Sequence, residues 1–384
     1  MKLHKNAQIK KLAVVGCGLV GRRHVAAIEQ TEGVCICAIV DPDITIKHFA
    51  SDKDCSYFSD IDEMLSAMRP DGIIIATPTN LHVVQGIKCV EAGVPTLIEK
   101  PLSHSLEEGK KLVEAAEKHN VTLLVGHHRR HNPIISKVKE LIGLGEIGEV
   151  RALNCTCWFY KPDSYFENAP WRTKKGAGPI SVNLAHDIDL MRYLCGEVVR
   201  VQAQKTLARR GYENEDVASA LLGFANGAIG TVTVSDSIVA PWSWEFTSKE
   251  YPIYPYADES SLLIGGSEGA ISIPDVKIWK HENQRDWWTP INSQKAHIVS
   301  SDPLVNQIHH FIKIIDEKEE SIVSGREGLR TLAVVDAIQR SANSHQTLVV
   351  DHEGDATDIE IGMDFGDFTT IKPTTKERII EDAV

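Results

Sequence analysis

The chain has 384 residues, with 41 Lys+Arg against 53 Asp+Glu and a net charge of −12. That length suits two domains, and 42% apolar residues are enough for a packed core. The acidic balance speaks against a nucleic-acid or anionic-membrane partner, both of which need a basic surface. No apolar run approaches the ~18 residues of a membrane span, and Met1–Asn6 opens no signal peptide, so a cytoplasmic protein is expected. Eight cysteines form no disulfide scaffold, and the Cys35/Cys37 and Cys155/Cys157 pairs lack a second zinc-ligand pair.

From the N-terminus, short strands alternate with helices. Lys11–Val15, Cys35–Val40, Gly72–Ala76, Pro95–Ile98 and Val121–Val125 read as strands. Helices are expected over Leu19–Gln30, after the capping box Asp60…Glu63, over Asn80–Ala92, and from the box Ser105…Glu108 to His119. This is the βαβ pattern of a doubly wound parallel sheet, an α/β domain over residues 1–126.

From residue 127 to 350 the texture changes. Glu149–Tyr160, Val198–Leu207, Val217–Phe224 and Ala228–Val234 are strands without intervening crossovers, and Ala225-Asn226-Gly227 is a hairpin turn. A mostly antiparallel sheet of α+β type is expected. Helices punctuate it near Pro133–Ile142 and Ile180–Leu194, and from Asp302-Pro303 and Ser324. Leu304, Val305, Ile308, Phe311, Ile312 and Ile315 make an apolar stripe. Residues 351–384 form an acidic extension with ten acids and three bases. There Ile359, Ile361, Met363 and Phe365 alternate with polar residues, which is either a strand arm on a sheet edge or an acidic tail.

Gly16-Cys17-Gly18-Leu19-Val20-Gly21 joins the first strand to the first helix. In that context G-x-G-x-x-G is a dinucleotide-binding turn. Gly16 permits the tight turn, Gly18 leaves room for pyrophosphate, and Gly21 allows helix and sheet to pack. Asp41, 20 residues after Gly21 at the end of the second strand, suits the ribose hydroxyls and repels a 2′-phosphate. NAD(H) is therefore expected; Arg22 and Arg23 keep NADP(H) open.

Ligands of an open parallel sheet bind beyond the carboxyl ends of its strands. Thr77, Pro78, Asn80 and His82 lie at one such end, and Glu99-Lys100-Pro101 at another. Lys100 is the candidate proton acceptor, with Glu99 its expected ion-pair partner. Asn183 and His186, three apart on the expected helix, share a face that presents a general acid/base beside a polar orienting group. His127, His128 and His131 have no metal-ligand pattern, so no metal is expected. The aromatics between Pro241 and Tyr256, with Trp287-Trp288, either line a pocket, form a subunit contact or pack on their own sheet.

The glycine turn, Glu99-Lys100-Pro101, Gly126–Pro133, Trp171-Arg172 and Gly178…His186-Asp187-Ile188-Asp189-Leu190 together resemble the glucose–fructose oxidoreductase/inositol dehydrogenase/MocA family, over about residues 10–345. The resemblance implies a Rossmann domain followed by an open-faced sheet domain that often forms the oligomer interface, here a homodimer or homotetramer. It implies NAD(P)-dependent oxidation or reduction of a sugar, cyclitol or related alcohol. It maps catalysis onto Lys100 and His186, and it places Trp171 and Arg172 near the nicotinamide. Substrate contacts then fall to Lys100, Arg129, Asn183 and His186. One departure stands out: many members carry Asp where this chain has Val182, and Asn183 beside it cannot take a proton at neutral pH. The alternatives are a dehydrogenase of a cyclic hydroxy-carboxylate, clamped by Arg129, Arg130 or Arg172, and a non-catalytic nicotinamide-binding regulator.

Overall fold

A computed structural model describes residues 9–350 and 352. The first sheet comprises β1 (Lys10–Val15), β2 (Val34–Val40), β3 (Ser56–Phe58), β4 (Gly72–Ile75), β5 (Thr96–Ile98) and β6 (Leu123–Val125). Its order is β3-β2-β1-β4-β5-β6, and every pair is parallel. The crossovers contain α1 (Leu19–Glu29), α2 (Ile46–Asp52), α3 (Ile61–Ala67), α4 (Thr79–Glu91) and α5 (Leu106–Lys118). Covered on both faces, the central strands are apolar throughout: Ile73, Ile74, Ile75, Leu97 and Ile98 are fully buried. The chain reverses its winding between β1 and β4, the point at which ligands of open parallel sheets bind.

The second sheet comprises β7 (Val150–Trp158), β8 (Val198–Lys205), β9 (Val217–Phe224), β10 (Ile229–Ser235), β11 (Leu262–Gly266), β12 (Ala270–Ile273), β13 (Lys277–Lys280), β14 (Asn292–Lys295) and β15 (Leu348–Val349). Its order is β14-β13-β12-β11-β7-β10-β9-β8-β15. All its pairs are antiparallel except β7 with β10. Side chains alternate along these strands. One face joins a core with α6 (Pro133–Gly143), α9 (Leu184–Cys195) and α12 (Gly325–Ser344). The other stays open, with Gln202, Gln204, Ser219, Leu221, Thr231 and Leu263 exposed. The short helices α7 (Asp163–Glu167), α8 (Pro179–Val182) and α10 (Trp244–Thr247) lie in its connections.

The four expected helix starts form as the caps dictate. Asp60, Ser105, Asp302 and Ser324 accept backbone N–H groups of Glu63, Glu108, Leu304 and Glu327 at 2.9, 3.3, 2.8 and 3.2 Å. Each such cap contributes about 0.5–2 kcal/mol. The hairpin after β9 closes at Gly227, whose φ is +84°. Helix α11 (Pro303–Ile315) returns to the parallel sheet, where Leu304, Ile308 and Phe311 pack with Leu12, Ile28 and Ile74.

Several elements differ from expectation. β3, α2 and β11–β14 are additional; they are short, and Gly265, Gly266 and Gly269 interrupt the apolar rhythm of β11 and β12. The helix expected over Ile180–Leu194 is broken at Asn183 into α8 and α9. The alternating segment 359–365 lies outside the described residues.

Candidate active site

The glycine turn has the geometry its spacing predicts. Gly16 has φ +87°, and a Cβ there would sit 2.8 Å from the Ala76 carbonyl group. A Cβ on Gly21 would lie 1.9 Å from the Gly16 carbonyl oxygen, so only glycine lets α1 start against the strand end. Gly18 differs: nothing lies within 4 Å of its Cβ position. It caps α1 without a side chain, leaving an open anion cradle at a helix N-terminus. Leu19 and Val20 are exposed on the first turn. Asp41 is half-buried; its Oδ2 accepts the Cys17 N–H at 2.7 Å and its Oδ1 accepts that of Asp43 at 2.9 Å. The acid is thereby locked beside the glycine turn. These residues fit a dinucleotide, with pyrophosphate over Gly18 and a ribose at Asp41. Arg22 stacks on Phe49 at 4.2 Å and Arg23 on Tyr251 at 4.3 Å.

At the end of β4, Pro78 and Asn80 are exposed at the start of α4, and Thr77 Oγ1 donates to Gln85 at 2.7 Å. His82 departs from the expected cofactor contact. It is buried, and its two ring nitrogens face the carbonyls of Pro101 (2.9 Å) and Thr77 (2.8 Å). A neutral imidazole donates to only one of these carbonyls at a time, and either bond makes it a strut between two strand ends.

Glu99 also departs from expectation. Its Oε1 lies 2.7 Å from Nε2 of the buried His24, not on the Lys100 ammonium. Burial alone would raise the Glu99 pKa, but His24, His128 and Lys100 hold it down at about 2. Lys100 Nζ reaches across to the second domain and donates to the Val182 carbonyl at 3.3 Å. Its pKa is lowered by burial, against the pull of Glu99 and with the repulsion of Arg129.

That contact explains the break in the expected helix. The Val182 carbonyl is taken by Lys100, and the next residue, Asn183, receives a second lysine: Lys161 Nζ donates to its Oδ1 at 2.6 Å. The Asn183 carbonyl still accepts the His186 N–H at 3.2 Å. His186 packs edge-on against His128 and His127, with ring centroids 5.4 and 6.2 Å away. Burial, then Lys100, Arg129 and the two histidines, push its pKa well below the ordinary histidine value. His186 is therefore neutral and able to accept a proton bond. Lys161 was missed by sequence reasoning. Its signal was present, because Lys161-Pro162 after β7 repeats the Lys100-Pro101 arrangement after β5.

Arg129 is not free for a ligand as expected. It is buried and donates to Asp187 (3.1 Å) and Glu245 (2.7 Å). Arg130 is likewise held by both oxygens of Asp189, at 2.7 and 2.8 Å, and by Glu327 at 2.9 Å. Trp171 is 59% exposed. Arg172 stacks on Tyr165 at 3.9 Å and donates to its carbonyl at 2.7 Å. His127, His128 and His131 go to three different partners, Asp189, Glu250 and His310. In the aromatic segment, Trp244 is buried, and Phe246 contacts both Phe159 and Tyr254. Trp287 and Trp288 stand apart from it, 91% and 84% exposed beyond β13.

Residues 10–127 match the family model for oxidoreductases with an NAD-binding Rossmann fold, and residues 135–272 match the GFO/IDH/MocA C-terminal domain. The chain belongs to the Gfo/Idh/MocA family. Relatives of this chain include dehydrogenases named for a sugar, for inositols and for carboxylated compounds, besides uncharacterized oxidoreductases. The D-apiose dehydrogenase of Paraburkholderia graminis is 26% identical over 88% of this chain and 89% of its own. The NADP(+)-dependent scyllo-inositol 2-dehydrogenase IolW of Bacillus subtilis is 24% identical over 78% of this chain and 84% of its own. The WlbA dehydrogenase of Bordetella pertussis, solved with NADH and UDP-GlcNAcA, superposes with a TM-score of 0.72 at 25% identity, covering 90% of this chain and 99% of its own. The protein is thus an oxidoreductase with an NAD-binding Rossmann domain. No helix among the described residues is long and apolar enough to cross a membrane.

Proposed function

We propose that this family member interconverts a secondary alcohol and a ketone on an uncharged sugar or cyclitol, using NAD(H). One observation carries the reading. Lys100, at the end of β5, meets the α8–α9 junction at the Val182 carbonyl, four residues before His186, and burial lowers its pKa. When bound, the nicotinamide takes up or returns hydride at the carbon. Lys100 accepts the hydroxyl proton, and neutral His186 shares that bond. Asn183 orients the substrate. The Asp41 carboxylate favours NAD(H) over NADP(H).

The charge pattern supports a neutral substrate over the cyclic carboxylate. Arg129 and Arg130 are each held by two protein carboxylates, while Arg172, the third arginine that could clamp an acid, stacks on Tyr165 and donates to its carbonyl. Retention of both Lys100 and His186 supports an enzyme over a sensor. The open sheet face, where Leu221, Ile229 and Leu263 are 45%, 52% and 50% exposed, supports a homodimer or homotetramer; a measured particle mass checks this. The activity is tested by screening sugars, cyclitols and cyclic hydroxy-acids for NADH formation. Turnover of polyols but not acids is expected; turnover confined to acids overturns the substrate class.

A further inference from the structure

The two lysines that meet at the α8–α9 junction do different work. Lys100 holds a backbone carbonyl, whereas Lys161 holds a side chain that has two possible faces. An Asn amide presents either its oxygen or its NH₂ group to a neighbour, and the neighbour decides which. A lysine ammonium is a donor only. Lys161 sits 2.6 Å from Asn183, so the atom facing it is Oδ1.

Lys161 has little freedom to do otherwise. It is 6% exposed. Its backbone N–H donates to the Asp236 carbonyl at 2.9 Å, and its own carbonyl accepts from Arg210 at 3.4 Å. The ammonium lies 3.7 Å from the Asp236 carboxylate, which Arg210 also holds. The opposite face of the Asn183 amide is Nδ2. It bonds to no described residue and is not sealed from solvent. Asn183 directly follows the residue whose carbonyl Lys100 grips, so its side chain belongs to the same junction as Lys100.

We infer that Lys161 is a positioning residue that fixes the polarity of Asn183. The outward Nδ2 then donates to an oxygen on the substrate carbon next to the one that reacts. The inference rests on the alcohol-dehydrogenase reading above. Its consequence is a specificity rule. The neighbouring substituent must be a hydrogen-bond acceptor: a hydroxyl or carbonyl oxygen serves, and an ammonium, which has only N–H groups, does not. Removing Lys161 frees the amide to turn its oxygen outward, where an ammonium is welcome. Arg210 then remains beside both Asp236 and Asp216, so the fold of the variant is checked by its urea midpoint before the preference is read.

The test compares matched substrates on the full-length protein with NAD, near neutral pH where the amines are charged. The pairs are myo-inositol with its amino-deoxy analogues and D-glucose with 2-amino-2-deoxy-D-glucose, and the pair with the faster hydroxyl member is read. Wild type should favour the hydroxyl member in kcat/KM by roughly 10–100-fold. Lys161→Met should raise KM for the hydroxyl member and lower the preference by roughly tenfold, which a purely structural loss does not do. Asn183→Asp keeps the Lys161 contact but offers only acceptor oxygens, and it should turn the preference toward the amine. An unchanged preference in both variants overturns the inference while leaving the activity intact. If Lys161→Met does not fold, Lys161→Gln, whose amide can donate or accept, replaces it as the test of Lys161, and an unchanged preference there overturns the inference. Absence of NADH formation from every hydroxyl member overturns the underlying reading, and the inference with it.

Discussion

Two acids two residues apart on α9 show how context divides like residues. Asp187 and Asp189 are both buried, and each pairs with one of two adjacent arginines, Arg129 and Arg130. Burial raises Asp187, and Glu245, which shares the same arginine, adds to it, so its pKa stands at about 6. Burial would raise Asp189 too, but His127, Arg130 and Arg192 surround it and hold it at about 2. Thr331 donates a further bond to Asp189 at 2.9 Å. The ratio of cations to carboxylates sets the difference. On the Asp187 side a single arginine, Arg129, serves two carboxylates, Asp187 and Glu245, next to His186 in the chain. The Asp189 side ties α9 to α12 through Arg130, Arg192 and Glu327, where every charge is matched.

The contrast predicts rate effects on one side of α9 and stability effects on the other. The largest is at the reacting group. Lys100→Met should lower kcat by roughly 10²–10⁴ while the dissociation constant for NADH, read by fluorescence, stays nearly unchanged. In wild type, alcohol oxidation should rise with pH through a pKa below the ordinary lysine value, and the variant should lose that limb. Comparable turnover in the variant removes Lys100 from the proton step. Next is Asp189→Asn, which takes the two-oxygen partner from buried Arg130 and leaves it Glu327 alone, and should cost up to about 3 kcal/mol in urea unfolding. Asp41→Ser touches neither side. It should shift the NAD/NADP preference by about tenfold toward NADP at unchanged kcat, as a ratio of kcat/KM values shows.

What the residues announced and what they concealed follow one physical line. The four helix caps, the glycine turn and the stripe on α11 are local, and a local pattern is readable. Lys100 and His186 were legible because their types and positions fit the chemistry and the family motifs. Partner choice was not. Glu99 chose His24, 75 positions away, over the adjacent lysine, and where the helix breaks at Asn183 the Val182 carbonyl goes to the distant Lys100 and the Asn183 side chain to Lys161. Arg129 was read as a ligand contact because nothing local reveals that Glu245 lies 2.7 Å away. The stripe on α11 was visible, but not that it covers the parallel sheet.

The smallest predicted effect tests the comparison most directly, because it should have the opposite sign. Asp187 binds its proton more tightly in the folded chain, at about 6 against an ordinary 3.8. Its contribution to stability is therefore fully present below about pH 4 and is lost as pH rises through about 6. Asp187→Asn keeps the side-chain shape, removes that loss and leaves Arg129 paired with Glu245. The variant should match wild type near pH 4 and exceed it by of order 1 kcal/mol at pH 7. Asp189→Asn behaves in the reverse way: its carboxylate stabilises above the ordinary Asp range and that contribution fades only as pH falls toward 2. Urea midpoints for the two variants at pH 4, 5, 6 and 7 decide it. If Asp187→Asn is destabilised equally at every pH, Asp187 is a matched structural charge like Asp189, and the division of α9 into two unlike sides fails.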